Sequence, residues 1–450
     1  MEKDRDTNRL DSRAIGCHEV VIRTLRSPAL LGYGRRLKRF ATVGVLLAIA
    51  PGDGAAGDWP QILGPNRDGI AVDERPLPTG QGTIDVRTVW ERKVGEGFAG
   101  VAVADGIAVL FHRVDDRETV EGLDAATGET RWRADWPAEY QGRINPDGGP
   151  RAVPTISQGR VVAWGAAGTA VCLDLATGKE LWKRDLFGEL RGDENYFGAG
   201  SAPLIVDRTV VINVGGRQGA GVVGLDLQDG TTRWQATNEG ASYAAPIAID
   251  FRGRTTVLVP TRLQLVALDA EDGQERFRVP FGKTGPTVNA SVPIVVGTQV
   301  HVSAAYGIGS LMLELAEGQM RVVREGGEEF ASQYFTPVSV GAHLFGTDGR
   351  EDFDDTNLRC VERESGQVLW SRPMPGTHLI RLGEDLIGVS IDGTLRIVGA
   401  ETGAYRERFS GRWTDGTGRA LPAYADGRLF VRSNAVGGVG ELKCLEFVTK

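Results

Sequence analysis

The sequence predicts an all-β chain: an eight-bladed β-propeller of four-stranded antiparallel blades, closed by pairing of the N-terminal strand into the last blade. Three observations lead there. Glycine accounts for 62 of 450 residues and long Ala/Glu/Lys/Leu runs are missing, the composition of short strands joined by tight turns. One hairpin unit returns along the whole chain. The last repeat runs out of chain before its outer strand, while a strand of matching character stands unpaired ahead of the first.

From the N-terminus, "RRLKRF" (35–40) is basic, "ATVGVLLAIA" (41–50) is apolar and "PGDGAAG" (51–57) is a run of small residues. That order reads as a secretory signal cleaved near Gly57, preceded by a polar extension over 1–34. The apolar run is too short to span a bilayer, and no Cys follows it to carry a lipid. A periplasmic or extracellular chain without a membrane span is expected. The organisation read from the sequence is extension and signal over 1–57, a signature segment and linker over 58–85, and the propeller over 86–450. Residues 1–57 carry 10 of the 51 Lys/Arg and 6 of the 59 Asp/Glu; the remainder holds 41 basic and 53 acidic residues, a net charge of −12. An acidic chain lacks the surface that replaces phosphate counterions, so nucleic acid is excluded as a partner.

The hairpin unit is clearest as "LDAATGETRW" (123–132) and returns as "LDLATGKELW" (173–182), "LDLQDGTTRW" (225–234) and "LDAEDGQERF" (268–277). Weaker copies are "LELAEGQMRV" (313–322), "VERESGQVLW" (361–370) and "VGAETGAYRE" (398–407). Their turn glycines, Gly128, Gly178, Gly230, Gly273, Gly318, Gly366 and Gly403, lie 37 to 52 residues apart. Glycine at such a turn answers a need for positive φ. Two further short strands precede each hairpin, such as "APLIVD" (202–207) and "TVVINV" (209–214), which makes four strands per repeat, one blade. Seven hairpins are complete. The closing half-blade, "RALPAYADGRLFVRS" (419–433) with "ELKCLEF" (441–447), lacks an outer strand that "VRTVWERKV" (86–94) can supply. Closure removes the open sheet edges and gives eight blades, with seven as the rival count. Period-two patterning excludes a helical solenoid.

Trp90, Trp132, Trp182, Trp234, Phe277 and Trp370 share one place in the return strand, where flat rings pack between neighbouring blades. The turn in its fullest form, Asp-x-x-Thr-Gly-x-x-x-Trp, resembles the tryptophan-docking signature of quinoprotein-type (pyrroloquinoline quinone, PQQ-like) propellers. "WPQILGPNRDGI" (59–70) with the following "LP" and "VWERKV" resembles exported, planctomycete-type PQQ-like repeat proteins. The resemblance spans 58–450. Its members include PQQ alcohol dehydrogenases and the non-enzymatic outer-membrane assembly factor B, so it specifies fold more than activity.

The resemblance implies, for members that bind PQQ, two adjacent cysteines over the cofactor, Glu, Asn and Asp ligands for Ca²⁺, an Asp base and a Trp beneath the quinone. Here the cysteines are Cys17, Cys172, Cys360 and Cys444, none adjacent. The last three occupy equivalent strand positions in blades two, six and eight, beyond the roughly 7 Å Cα separation a disulfide bridges; free core thiols are expected. Long catalytic insertions and a CxxCH haem site are missing. His112, His301, His343 and His378 stand singly, without metal-ligand spacing. "DGREDFDD" (348–355) is acidic but lacks the order of a Ca²⁺ loop, and reads as a solvated loop of blade six. No catalytic, cofactor-binding or metal residue is assigned. PQQ with calcium enters only under the alternative of a PQQ-dependent alcohol or sugar dehydrogenase.

The expected function is an exported non-catalytic propeller, monomeric, that binds or scaffolds a protein, peptide or glycan in the cell envelope. Its inner strands begin after a small-x-Pro pattern in which Pro fixes the strand entrance. Residues near those entrances that do not repeat between blades, Arg143, Arg151, Asn195, Tyr196, Tyr243, Asn289, Tyr334 and His378, are the candidate binding funnel. In "DWPQILGPNRDG" (58–69), Trp59 reads as a plug packed on the ring and "GPNRDG" as consecutive turns leading to the closing strand.

Overall fold

A computed structural model of the chain describes residues 57–78, 83–140, 144, 147–193, 196–316, 318–434 and 439–450; the expected leader, apart from Gly57, lies outside them. The described residues form eight four-stranded antiparallel sheets. Blades one to seven cover 102–137, 155–185, 204–236, 247–280, 294–327, 338–373 and 377–412. Blade eight has Ala423–Ala425, Arg428–Ser433 and Gly440–Thr449 from the inside outwards, with Ile84–Val94 as its outermost strand. Ile84 pairs with Thr449 and Val94 with Gly440, so the unpaired N-terminal strand closes the ring. Eight blades result, not seven.

Four antiparallel strands per blade divide the turns between two faces. Blade-to-blade connections and the loops between second and third strands share one, the connection face; the remaining hairpins share the other, the hairpin face. Second and third strands are buried almost throughout, and the outer strands alternate.

The repeated Asp and Gly have separable jobs in the hairpin. Asp124 Oδ1 accepts from the N–H groups of Ala126 and Thr127, an Asx-type turn. Asp174 does the same for Thr177. Gly178 sits at φ +69, and a Cβ there would lie 2.4 Å from the Trp132 ring. Gly128, Gly230, Gly273 and Gly366 share the positive φ. Trp90, Trp182 and Trp234 lie over Gly128, Gly230 and Gly273 in the same way, so in these blades the docking ring covers the turn of the next. Its indole N–H then donates into that turn: Trp90 to Ala125 O, Trp132 to Leu175 O, Trp182 to Leu227 O, Trp234 to Ala270 O and Trp370 to Glu401 O. Replacing Gly178 with alanine should lower stability by about 2–3 kcal/mol, from the left-handed backbone and the clash with Trp132. Denaturant unfolding of the variant checks this, and an unchanged midpoint contradicts it.

Blades five and seven depart from the pattern. In blade five the hairpin extends two residues further, pairing Ala316 with Gln319, and Arg324 faces Met312 at the docking place. Its guanidinium covers Gly366 and donates to Glu364 O and Arg363 O, using planar cationic stacking where five other blades use an indole. In blade seven Phe409 faces Ile397 at that place, and Gly403 does not take positive φ.

Candidate functional site

The N-terminal signature segment runs into the central channel. Gly57 O accepts from Asp426 N, Trp59 exchanges two backbone bonds with Val103, and Pro60 O accepts from Ile156 N. The chain turns and leaves along blade seven, where Ala71 N donates to Arg381 O and Arg381 N to Gly69 O. The Glu74 carboxylate then accepts from the N–H groups of Asp426 and Gly427. Trp59 is 1% exposed, packed as the plug expected of it.

At the apex lies Arg67, 3% exposed and at φ +57. Its guanidinium donates to Gln61 Oε1 (2.7 Å), Pro246 O (2.8 Å), Thr155 Oγ1 (3.4 Å) and Pro203 O. The two prolyl carbonyls stand at the small-x-Pro entrances of blades four and three, just ahead of the paired part of each inner strand, and so are available to the axis. Only a planar fork with five donors gathers acceptors from three blades at once. These partners are neutral acceptors, and burial pushes the Arg67 pKa down to about 9. In the sequence Arg67 reads only as part of a turn. Its partners in the blades stand 88 to 179 residues away, so no local signal could have shown them.

The candidate funnel residues that the structure describes all lie on the connection face; Arg143 and Asn195 fall outside the described residues. Arg151 donates to Asp147 O and Gly149 O, with its guanidinium 5.1 Å from the Tyr140 ring centre and 5.5 Å from that of Phe98. Phe98 is also approached by Arg419, whose Nε donates to Glu351 Oε1 at 2.6 Å. Glu351 in turn accepts from the Tyr334 hydroxyl, and the Tyr334 ring lies 5.8 Å from His378. Thus Arg151, Tyr334 and His378 join one contact chain across the face. His378 is buried and its pKa is pushed down to about 4, so its Nε2–H donates to Arg419 O from a neutral ring. The Tyr243 hydroxyl accepts from Tyr196 N and Phe197 N, and Tyr196 lies under Arg262. Asn289 O accepts from Tyr243 N and Ala244 N, while its side-chain amide is buried without a hydrogen-bond partner. Mutual bonding of this kind makes most of these residues the floor of the face.

Open space lies beside that floor. A groove of about 670 Å³ separates blades five and six, walled by Lys283, Tyr306, Asp348, Arg350, Phe353 and Asp355. A second, of about 550 Å³, lies where blades seven and eight meet, beside Trp413 and Lys443. The first sits above the seam where Arg324 replaces the docking indole and where Ile294, Phe330, Leu344 and Val361 form a small separate apolar cluster. The acidic loop 348–355 forms one wall. Asp348 pairs with Arg359 (3.0 Å), Asp352 with Arg350 and Glu351 with Arg419.

Among the described residues, the cysteines and carboxylates implied for PQQ and calcium are not brought together. Cys172, Cys360 and Cys444 are free and buried in three different blades, with pKa values pushed up by burial to about 12, 11 and 12. Among the described residues no group of three or more His, Cys, Asp or Glu side chains is placed to hold a metal ion. His112 is structural: its Nδ1 accepts from Gly95 N, and Nε2 meets Glu121, which also binds Arg92 of the closing strand.

Glu118 supplies a pH-dependent contact on the same face. Fully buried, it accepts from Ala166 N (2.6 Å) in the blade-two loop and from Trp136 Nε1 (3.1 Å). Burial raises its pKa from 4.5 to about 7. Between those values the folded state holds a proton that the unfolded chain releases. The group's contribution is therefore full below pH 4.5 and is lost as pH rises through 7. Glu118→Gln should flatten that part of the stability profile between pH 5 and 8 in urea titrations; a parallel profile contradicts the assignment.

Among the described residues no helix is long and apolar enough to cross a membrane. A sequence profile of the family described as outer membrane protein assembly factor BamB matches residues 116–372. BamB of Burkholderia pseudomallei is 24% identical over 279 residues, covering 52% of this chain and 70% of that protein. BamB of Xanthomonas campestris is 32% identical over 238 residues, covering 51% and 56%. Among solved structures, BamB from Moraxella catarrhalis superposes with a TM-score of 0.58 at 19% identity, over 80% of this chain and 97% of that one. A europium-containing methanol dehydrogenase superposes with 0.63 at 12% identity, over 87% and 98%. At these identities the structural likeness concerns the fold alone. The profile match, which spans more than half of the chain and centres on the docking hairpins, makes this chain a member of the outer membrane protein assembly factor BamB family.

Proposed function

We propose that the chain is an exported, non-catalytic propeller that binds a protein partner in the cell envelope and serves the assembly of outer-membrane proteins. The observation that carries this reading is the sealed axis. Segment 59–70 occupies the channel, Arg67 takes up the carbonyls at its centre, and the contact chain from Arg151 to His378 forms the floor of the connection face. The surface left for recognition is a set of loops and grooves, suited to a polypeptide more than to a small substrate. Relatives named as assembly factors, and a leader read over 1–57, support the location and the role.

Affinity capture with the full chain, after chemical cross-linking of intact envelopes, tests the proposal. The expected result is recovery of outer-membrane assembly proteins above a matched propeller control. In parallel, PQQ and Ca²⁺ added to the purified chain should give no quinone absorbance and no dye reduction with alcohols or sugars; turnover there would replace this reading with the dehydrogenase one.

A further inference from the structure

We propose that the groove between blades five and six is a docking site for an extended segment of a protein partner that presents a basic side chain beside an apolar one. The inference rests on the binding function proposed above and adds the place and the chemistry of the contact.

Phe353 is 66% exposed, the most exposed large apolar side chain among the described residues. It is held in place: the Arg350 guanidinium packs 4.4 Å from its ring centre and 4.1 Å from that of Tyr306, forming a three-layer stack across the groove. Asp354, at φ +52, closes the short helical turn that carries Phe353. A large ring fixed in water is a standing cost that a partner's apolar side chain would remove.

The charges around it are unevenly satisfied. Asp348, Glu351 and Asp352 of the loop each have an arginine partner. Asp354 and Asp355, the two neighbours of Phe353 on its C-terminal side, form no ion pair among the described residues; Asp355 faces the groove, its Oδ1 accepting from the backbone N–H of Arg350 at 2.7 Å. Carboxylates without a cationic partner beside an exposed aromatic complement a lysine or arginine next to an apolar residue. On the opposite wall Lys283 is exposed and spends one donor on Tyr306 O, leaving donors for a peptide carbonyl. A cavity of about 670 Å³ has room for a few side chains of such a segment.

The test is selection from a random nonapeptide display library on the full chain, followed by fluorescence anisotropy of the selected peptides. The comparison protein carries Phe353→Ala, Asp354→Asn and Asp355→Asn. These positions are exposed or partly so, and Asn keeps both the left-handed backbone at 354 and the Oδ1 acceptor at 355. The expected result is enrichment of peptides with Lys or Arg adjacent to an aliphatic or aromatic residue, binding at least about tenfold more weakly to the variant and losing affinity with salt. Peptides without a basic residue, equal binding to a variant with unchanged circular dichroism, or no enrichment would each overturn the inference. Envelope capture by the same variant separates the two proposals: partner recovery undiminished rejects the groove alone, and no recovery by the unaltered chain rejects the binding function.

Discussion

Arg67→Ala is expected to lower the unfolding free energy by about 3–5 kcal/mol, from a single change in a segment outside every blade. Truncation leaves Pro246 O and Gln61 Oε1 without their buried donor and opens a cavity at the centre of the ring. Each orphaned acceptor costs about 1–3 kcal/mol, to which the cavity adds. Arg67→Lys keeps the charge but offers a point donor in place of a planar fork, so it should recover less than half of the loss. Deleting 58–70 should be at least as damaging, since the backbone bonds to blades one, two and seven go with it. Denaturant unfolding with an unchanged slope gives the comparison. A variant as stable as the parent would mean that Arg67 fills the axis without joining the blades.

The second large effect lies in the docking ring, and its size should depend on blade. Trp182 is 7% exposed, covers Gly230 and donates to Leu227 O at 3.0 Å. Trp182→Ala removes a buried ring and should cost about 3–5 kcal/mol. Trp182→Phe keeps most of the ring and loses the hydrogen bond, about 1 kcal/mol. Trp370 makes the same bond from a partly exposed position, so Trp370→Ala should cost about 2 kcal/mol. Equal losses at 182 and 370 would contradict the link between burial and docking strength.

These two sets of residues differ in how much of them the sequence displays. The docking hairpin is local: Asp124, Gly128 and Trp132 lie within one turn and return, so their spacing survives as a visible repeat. The blade count is legible because Ile84–Val94 pairs in sequence with nothing near it, and Gly440–Thr449 lacks an outer neighbour. Blade five is harder to read. Two extra hairpin residues move the docking place to Arg324, and a search at fixed spacing lands on Val322. Phe409 escapes in blade seven for the same reason.

The candidate funnel was readable as a face but not as a site. Non-repeating residues at strand entrances do gather on one side. Their bonds to one another, such as Arg419 to Glu351 and Tyr243 to the backbone of 196 and 197, depend on loops whose conformations carry no periodic signal. The groove is less visible still, because its walls come from 283–287, 305–307 and 348–355, three stretches joined only by the fold. Within them, the acidic loop stands out in the sequence for its charge, while the docking proposed for it rests on Phe353 and on two carboxylates that form no ion pair.

Site-specific photo-cross-linking in intact cells tests the central claim most directly. A photoreactive residue placed at 353 reports the connection face, and one at 181, exposed on the outer strand of blade two, reports a surface to which no role is assigned. An axis-sealed binding propeller predicts a discrete adduct with an outer-membrane assembly protein from position 353 and none from 181. Absence of that adduct, or the same adducts from both positions, would contradict it.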